Sequence, residues 1–387
     1  MQEQYIEQLS SSKPRKRIKA YKKLLPELTA IKENISKVRN VNVQVRTGSN
    51  EISPSLAVYK AKRLSLPLIS IVNYASLSAY KELACTAEPS FIAFYSGAEV
   101  LVSSEKGTAF KALAIGIPEK QAKRFDDELS EYRKLRLNYL KKKADLINQA
   151  FKGYKIKISH LDKGGLKYTE EASEKAVYAL LADAIMKKFL SSAEITEFLQ
   201  FKLKFSLSEE DILKLEDLAN PLYKEDLTEV LESKLSLKQD AEKCKSYRHF
   251  VALTLANGAI PSAVYQGNAS GAEDFVLSVK DKGFLSVTVE HGDEETARAV
   301  YFACIKHGML PLCRVLVGGS RGKADAEFKS EELATAYNEC AYAVVGHEIC
   351  TAINFFDGLF SRELLKNMPN MEDRIKLYSR IGAKGSV

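Results

Sequence analysis

The sequence predicts a mainly α-helical protein of two lobes, with a small β-hairpin or sheet in the N-terminal lobe and a basic N-terminal arm. Three observations carry this expectation. Long stretches place apolar residues at helical spacing, while alternating, strand-like runs are few and short. A chain of 387 residues exceeds what one hydrophobic core usually organises. The charge also changes sign along the chain: residues 1–167 carry 31 Lys and Arg against 16 Asp and Glu, a net +15, and residues 168–387 carry 26 against 34, a net −8. The expected division is an arm at 1–25, a basic lobe at 26–167 and an acidic helical lobe at 168–387.

Taken in order, KPRKRIKAYKK at 13–23 puts seven cations in eleven residues with no acid among them, and runs into a helical stretch that Pro26 restarts. VNVQVR at 41–46 alternates like a short strand and ends in TGSN, which has turn chemistry. Helices are expected at about 54–64 and 68–86. FIAFY at 91–95 and EVLVS at 99–103 flank Ser96, Gly97 and Ala98 and read as a hairpin. From Pro118 to about residue 152 the residues are almost all good helix formers, with no Gly or Pro between, which reads as one long helix. YKIKIS at 154–159 alternates again, and HLDKGGLK at 160–167 breaks the pattern where the charge changes sign.

In the second lobe Val177, Leu180, Leu181 and Ala184 fall at i, i+3, i+4 and i+7, one buried helical face. SSAE at 191–194 and SLSE at 206–209 match the capping box, in which hydroxyl and carboxylate satisfy free backbone amides at a helix start. Further helices are expected at about 222–235, 236–257, 293–308, 329–355, 359–368 and 371–381.

The opening 17 residues are polar and basic, unlike a signal peptide. The most apolar segment, 64–80, is interrupted by Ser65, Pro67, Ser70, Asn73 and Ser76, which argues against a membrane span. Six cysteines without a C-x-x-C pair suit a reducing compartment, so the expected location is cytoplasm, of the organism or of a host cell, or a virion.

Motifs narrow the chemistry. GGSRGK at 318–323 follows RVLV, but a phosphate-binding P-loop would need glycine at Val317 and Ser or Thr at Ala324. Cys304 with His307, and His347 with Cys350, are i, i+3 pairs that would supply a Cys2His2 zinc set if their helices met. Against that, Leu333, Tyr337, Cys340, Val344 and His347 mark one buried helix face, and buried Cys and His are common in cores. No nucleophile elbow, H-E-x-x-H or G-x-G-x-x-G is present.

The leading expectation is therefore a non-catalytic single-stranded RNA-binding protein that assembles along nucleic acid, as a nucleocapsid or coat protein does. Phosphates would lie in a basic cleft between the lobes, and subunits would join head to tail, basic lobe against acidic lobe. The residues expected to contact phosphate are Arg15, Lys16 and Arg17 in the arm, Arg46 and Lys60 in the first lobe, Lys163 and Lys167 at the hinge, and Arg321 and Lys323 in the far loop. No cofactor and no membrane partner is expected. Two rivals stand beside this reading. One is an enzyme acting on a phosphorylated or nucleic-acid substrate with a dispersed site; the other is an interaction scaffold binding an acidic protein or anionic surface.

Overall fold

Eight strands organise the chain: β1 Val43–Val45, β2 Leu68–Tyr74, β3 Ala93–Ser103, β4 Ala109–Ile115, β5 Lys245–Ser246, β6 Ile260–Tyr265, β7 Ser286–Glu290 and β8 Leu310–Val317. They form one sheet in the order β2-β1-β8-β7-β6-β4-β3-β5, and β2 also pairs with β3, so seven strands close into a ring with β5 outside it. Only β4 runs against its neighbours β3 and β6; every other pairing in the ring is parallel. The computed structural model describes residues 2–11, 13–29, 43–45, 52–64, 66, 68–158, 174–235, 237, 242–290, 293–317 and 328–384.

The helices are α1 Gln2–Gln8, α2 Pro14–Thr29, α3 Pro54–Arg63, α4 Tyr80–Ala87, α5 Glu119–Glu128, α6 Ser130–Ala150, α7 Glu174–Lys188 and α8 Ser192–Glu197. They continue as α9 Glu209–Lys214, α10 Tyr223–Lys234, α11 Tyr247–Ala256, α12 Ala272–Lys280, α13 Glu294–Lys306, α14 Glu331–Ile353, α15 Arg362–Asn367 and α16 Met371–Lys384. No helix among the described residues is long and apolar enough to cross a membrane.

The chain separates into two compact units, residues 1–132 with 244–387, and residues 133–243. The first holds the strand ring, and the boundary expected near residue 167 falls within the second, outside the described residues. The second takes most of α6 with α7 to α10. Its interior includes Leu140, Ile147, Val177, Leu181, Leu227 and Leu231, and its ion pairs Lys143–Glu174 and Arg136–Glu242 join residues far apart in sequence.

Two helical lobes with a small hairpin is thus not the fold, and the reasons are physical. Strands in a ring covered by helices are buried on both faces, so they lose the period of two that marks a half-exposed strand. LISIVNY at 68–74, expected as part of a helix, is β2: Ile69 and Ile71 pack against α2, α3 and α4, while Leu68 and Val72 face the ring interior. The strands β6 and β7 were not foreseen at all, and Pro261 in β6 speaks against a central strand. Gly97 is not a turn residue. It lies inside β3, where a Cβ would meet the Ala114 carbonyl oxygen at 2.6 Å, and the true hairpin turn is at 104–108, between β3 and β4. The long helix expected at 118–152 is two helices, α5 and α6, divided at Leu129. The second capping box is set by Ser208 and Asp211 rather than Ser206 and Glu209.

One end of the ring is closed. Cys340, Ala341 and Val344 of α14 pack with Leu68, Ala93, Ile115, Ile260 and Leu310, which lie at the N-terminal ends of the parallel strands or the C-terminal end of β4. Behind α14 runs α16, at a distance only glycine permits: a Cβ on Gly346 would fall 2.1 Å from the Tyr378 carbonyl oxygen, and one on Gly382 2.1 Å from that of Tyr342.

Candidate active site

Alternation along the strands decides what enters the ring. In β7 Val287 and Val289 face outward into the core beneath α11, α12 and α13, so Ser286, Thr288 and Glu290 face inward. Their parallel partners on β8 are Leu310, Leu312 and Arg314, and the Thr288 hydroxyl meets that of Ser262 on β6 at 2.8 Å. The interior thus changes along its axis, from apolar beside α14 to hydroxyls midway to charges at the C-terminal ends of the parallel strands.

Those charges form one network. Arg314, 1% exposed, donates from Nη1 to Glu99 Oε2 of β3 at 2.5 Å and from Nη2 to Glu290 Oε1. Lys111 of β4 reaches Glu290 Oε1 at 3.2 Å, and Gln266, next after β6, donates to Glu290 Oε2 at 2.9 Å. The Glu290 carboxylate therefore gathers donors from three chain segments. Burial alone would raise its pKa, but the Arg314 charge, the hydrogen bonds from Gln266 and Arg314, and the Lys111 charge outweigh burial and bring it down to about 2. Next to this network, immediately after β2, Ala75 holds a left-handed φ of 47° while its amide donates to the Glu99 carbonyl at 2.7 Å. Such a conformation costs a residue with a Cβ about 1–2 kcal/mol.

Buried charges of this kind add little net stability, because desolvation cancels most of the attraction. They recur at functional sites, and in parallel β/α barrels the C-terminal end of the strands is where chemistry is placed.

Of the residues expected to contact phosphate, Arg15, Lys16 and Lys60 are exposed on α2 and α3. Arg17 is committed elsewhere: its Nε donates to Glu82 Oε1 at 2.8 Å and its Nη1 to the Ser11 carbonyl at 2.6 Å. Arg46, Lys163, Lys167, Arg321 and Lys323 lie outside the described residues. The Cys2His2 set does not assemble. His347 is buried with both ring nitrogens engaged, by the Gly258 carbonyl at 2.8 Å and the Leu359 amide at 3.0 Å, and Cys304 lies in the core. No group of three or more His, Cys, Asp and Glu side chains among the described residues is placed to hold a metal ion. At the C-terminal ends of the parallel strands both carboxylates, Glu99 and Glu290, already hold the Arg314 cation, so the described residues there do not fit a metal.

Sequence reasoning missed Glu99, Lys111, Gln266, Glu290 and Arg314. The available signal was a lone charge inside or at the end of an apolar run, as in LPLCRVLV at 310–317 and SVTVE at 286–290, since a buried charge demands a partner.

No protein-family model matches the chain, and no curated protein matches it. Two solved structures are similar in shape. One is described as a metal-dependent phosphoesterase from Bifidobacterium adolescentis, with a TM-score of 0.47, 11% identity, and coverage of 77% of this chain and 94% of that one. The other is an amidohydrolase from Chromobacterium violaceum with bound sulfate and no metal, with a TM-score of 0.44, 14% identity, and coverage of 71% and 86%. The nucleocapsid-like reading, and with it the viral and ribonucleoprotein assignment, is withdrawn. It assumed two helical lobes and unpaired cations, whereas one unit is built on a strand ring in which Lys111 pairs with Glu290, and in the other unit Arg136 and Lys143 of the basic part pair with Glu242 and Glu174 of the acidic part.

Proposed function

We propose that the chain is an enzyme acting on a phosphorylated substrate at the C-terminal end of the parallel strands of its ring. The observation that supports this is the set of three donors, Lys111, Gln266 and Arg314, converging on the Glu290 carboxylate. Two cations and an amide around one anionic group are what a phosphoryl group requires, and Glu290 occupies the place such a group would take. With its side chain 27% exposed, Glu290 is open enough to exchange for a ligand, and Lys111, at 32%, is the cation nearest solvent. Arg314 would hold the substrate anion and offset charge developing in the transition state.

Turnover of phosphomonoesters and phosphodiesters, p-nitrophenyl phosphate and its bis ester among them, tests the reading. Loss of one such charged donor typically costs about 10²–10³ in rate. Lys111→Met should therefore cut turnover by about a hundredfold while the fold persists. If the wild-type chain turns over none of these esters, or Lys111→Met leaves the rate unchanged, the proposal fails.

A second reading is a barrel that binds a phosphorylated ligand without turning it over. It is favoured by the engagement of both carboxylates, Glu99 and Glu290, with Arg314, which leaves neither as a ready base. Saturable binding of the same esters without product would select it.

A further inference from the structure

The opposite end of the ring carries a cavity of about 320 Å³, between the start of β3, the start of α4 and α14. That volume is at the small end of ligand cavities, which run from about 300 to 1,000 Å³. Its walls are mostly apolar and aromatic, with Tyr80, Phe94, Ile92, Val345 and Ile349 among them, and its ionisable groups other than Tyr80 are three glutamates: Glu348 on α14, Glu119 at the start of α5, and Glu88 just after α4. No Lys or Arg is in this lining, in a chain whose net charge is +7.

Glu348 is the decisive group. It is 9% exposed, and Tyr80 Oη donates to its Oε1 at 3.3 Å, while Oε2 is buried with no hydrogen-bond partner among the described residues. Burial pushes its pKa up to about 8, outweighing the Tyr80 bond, and the nearby Glu119 charge adds a smaller push in the same direction. The other groups near it do not relieve this. Glu88 and Glu119 are exposed acids, Lys120 spends its ammonium on the Ala352 carbonyl at 3.1 Å, and His347, next on α14, is held by Gly258 and Leu359. Without a cation the buried group stays protonated at neutral pH, and a cationic ligand would stabilise its ionised form. The three glutamates are not placed to share a metal ion. Their setting, one deep and two at an exposed rim with apolar walls, instead matches a cation with charge at both ends of an apolar chain.

We propose that this cavity binds a small aliphatic diamine, with one ammonium paired to Glu348 in the interior, the other held by Glu88 and Glu119 at the rim, and the methylene chain against Tyr80, Phe94 and Ile349. The site is separate from the C-terminal ends of the parallel strands and independent of the reading given for them.

Calorimetric titration with 1,4-diaminobutane, alongside neutral 1,4-butanediol and magnesium chloride, tests it. The diamine should bind and the diol should not. Glu348→Gln should weaken diamine binding by at least about tenfold, and Glu119→Gln, at an exposed position that does not endanger folding, by about threefold. Because the free Glu348 is protonated at neutral pH, affinity should rise between about pH 6 and about pH 8. Binding should release close to one proton, read from titrations in buffers of different ionisation enthalpy. Diol binding equal to that of the diamine, displacement of the diamine by magnesium, or diamine binding without proton release would each overturn the proposal. If Glu348→Gln does not fold, the Glu119→Gln affinity and the proton count decide the matter.

Discussion

The two ends of the strand ring treat a buried glutamate in opposite ways. At the C-terminal end Glu290 is surrounded by Arg314, Lys111 and Gln266 and stays ionised down to a pKa of about 2; at the N-terminal end Glu348 meets, among the described residues, Tyr80 and the nearby Glu119, and its pKa climbs to about 8. Burial pushes both upward, so the difference lies in whether cations arrive from other strands. Cations surround the first glutamate and none lines the cavity at the second.

The harshest way to break this contrast is to remove its cation. Arg314→Met would take from the buried Glu99 the cation at 2.5 Å and from Glu290 one of its two, and urea unfolding should report a loss of about 3–5 kcal/mol. Adding Glu99→Leu and Glu290→Gln to the same chain should restore most of it, because the stranded charges are then gone. If Arg314→Met alone is as stable as the wild type, the network is not electrostatically coupled.

Next in size is the pH dependence at the closed end. The folded-state pKa of Glu348 is raised, so its contribution to stability is fully present below the ordinary value of 4.5 and is lost as pH rises to about 8. At about 1.4 kcal/mol per unit, unfolding free energy should fall by up to a few kcal/mol across that window. The gradient should vanish in Glu348→Gln, and denaturant melts at several pH values would show it. Saturating diamine should also flatten it in the wild-type chain.

Glu290 predicts the reverse slope. Its folded-state pKa is depressed, so the stability it contributes is present above 4.5 and disappears as pH falls toward about 2, by no more than about 3 kcal/mol. Acid unfolding of Glu290→Gln compared with the wild-type chain isolates that part. Close packing offers a similar test of the closed end: Gly346→Ala drives a Cβ into the backbone of α16 and should cost about 1–3 kcal/mol by thermal melting. The smallest effect belongs to a pair in water. Lys175 and Glu229 are 3.2 Å apart with both side chains about half exposed, and Lys175→Ala should change stability by less than about 1 kcal/mol. A larger loss there would show that exposure does not explain the contrast between the ends.

Much of the helical structure was legible. Ser191 caps α8 as its SSAE run predicts, and the face of α14 expected to be buried, Leu333, Tyr337, Cys340, Val344 and His347, is buried throughout. Short-range chemistry suffices there, since caps and apolar spacing act within a few residues. The strands were less legible: β2 and β6 are buried on both faces and carry no alternation, and β7 was missed although SVTVE alternates, whereas the runs expected at 41–46 and 91–103 hold β1 and β3. The site was less legible still: Arg314 finds Glu99 across 215 residues of chain, and nothing near either residue announces the other.

The sequence by itself determined where most helices begin and end, which helix faces are apolar, and that the first part of the chain is basic and the second acidic. Only the tertiary structure decided what that polarity is for. Closing the strands into a ring brings cations of the first part against acids of the second, as in Lys111 with Glu290, so the charge asymmetry is spent in part inside the molecule. The physical reason is range. Helix signals act over one or two turns, whereas the energy of a buried charge depends on whichever residues the fold places within a few ångströms, wherever they stand in the chain.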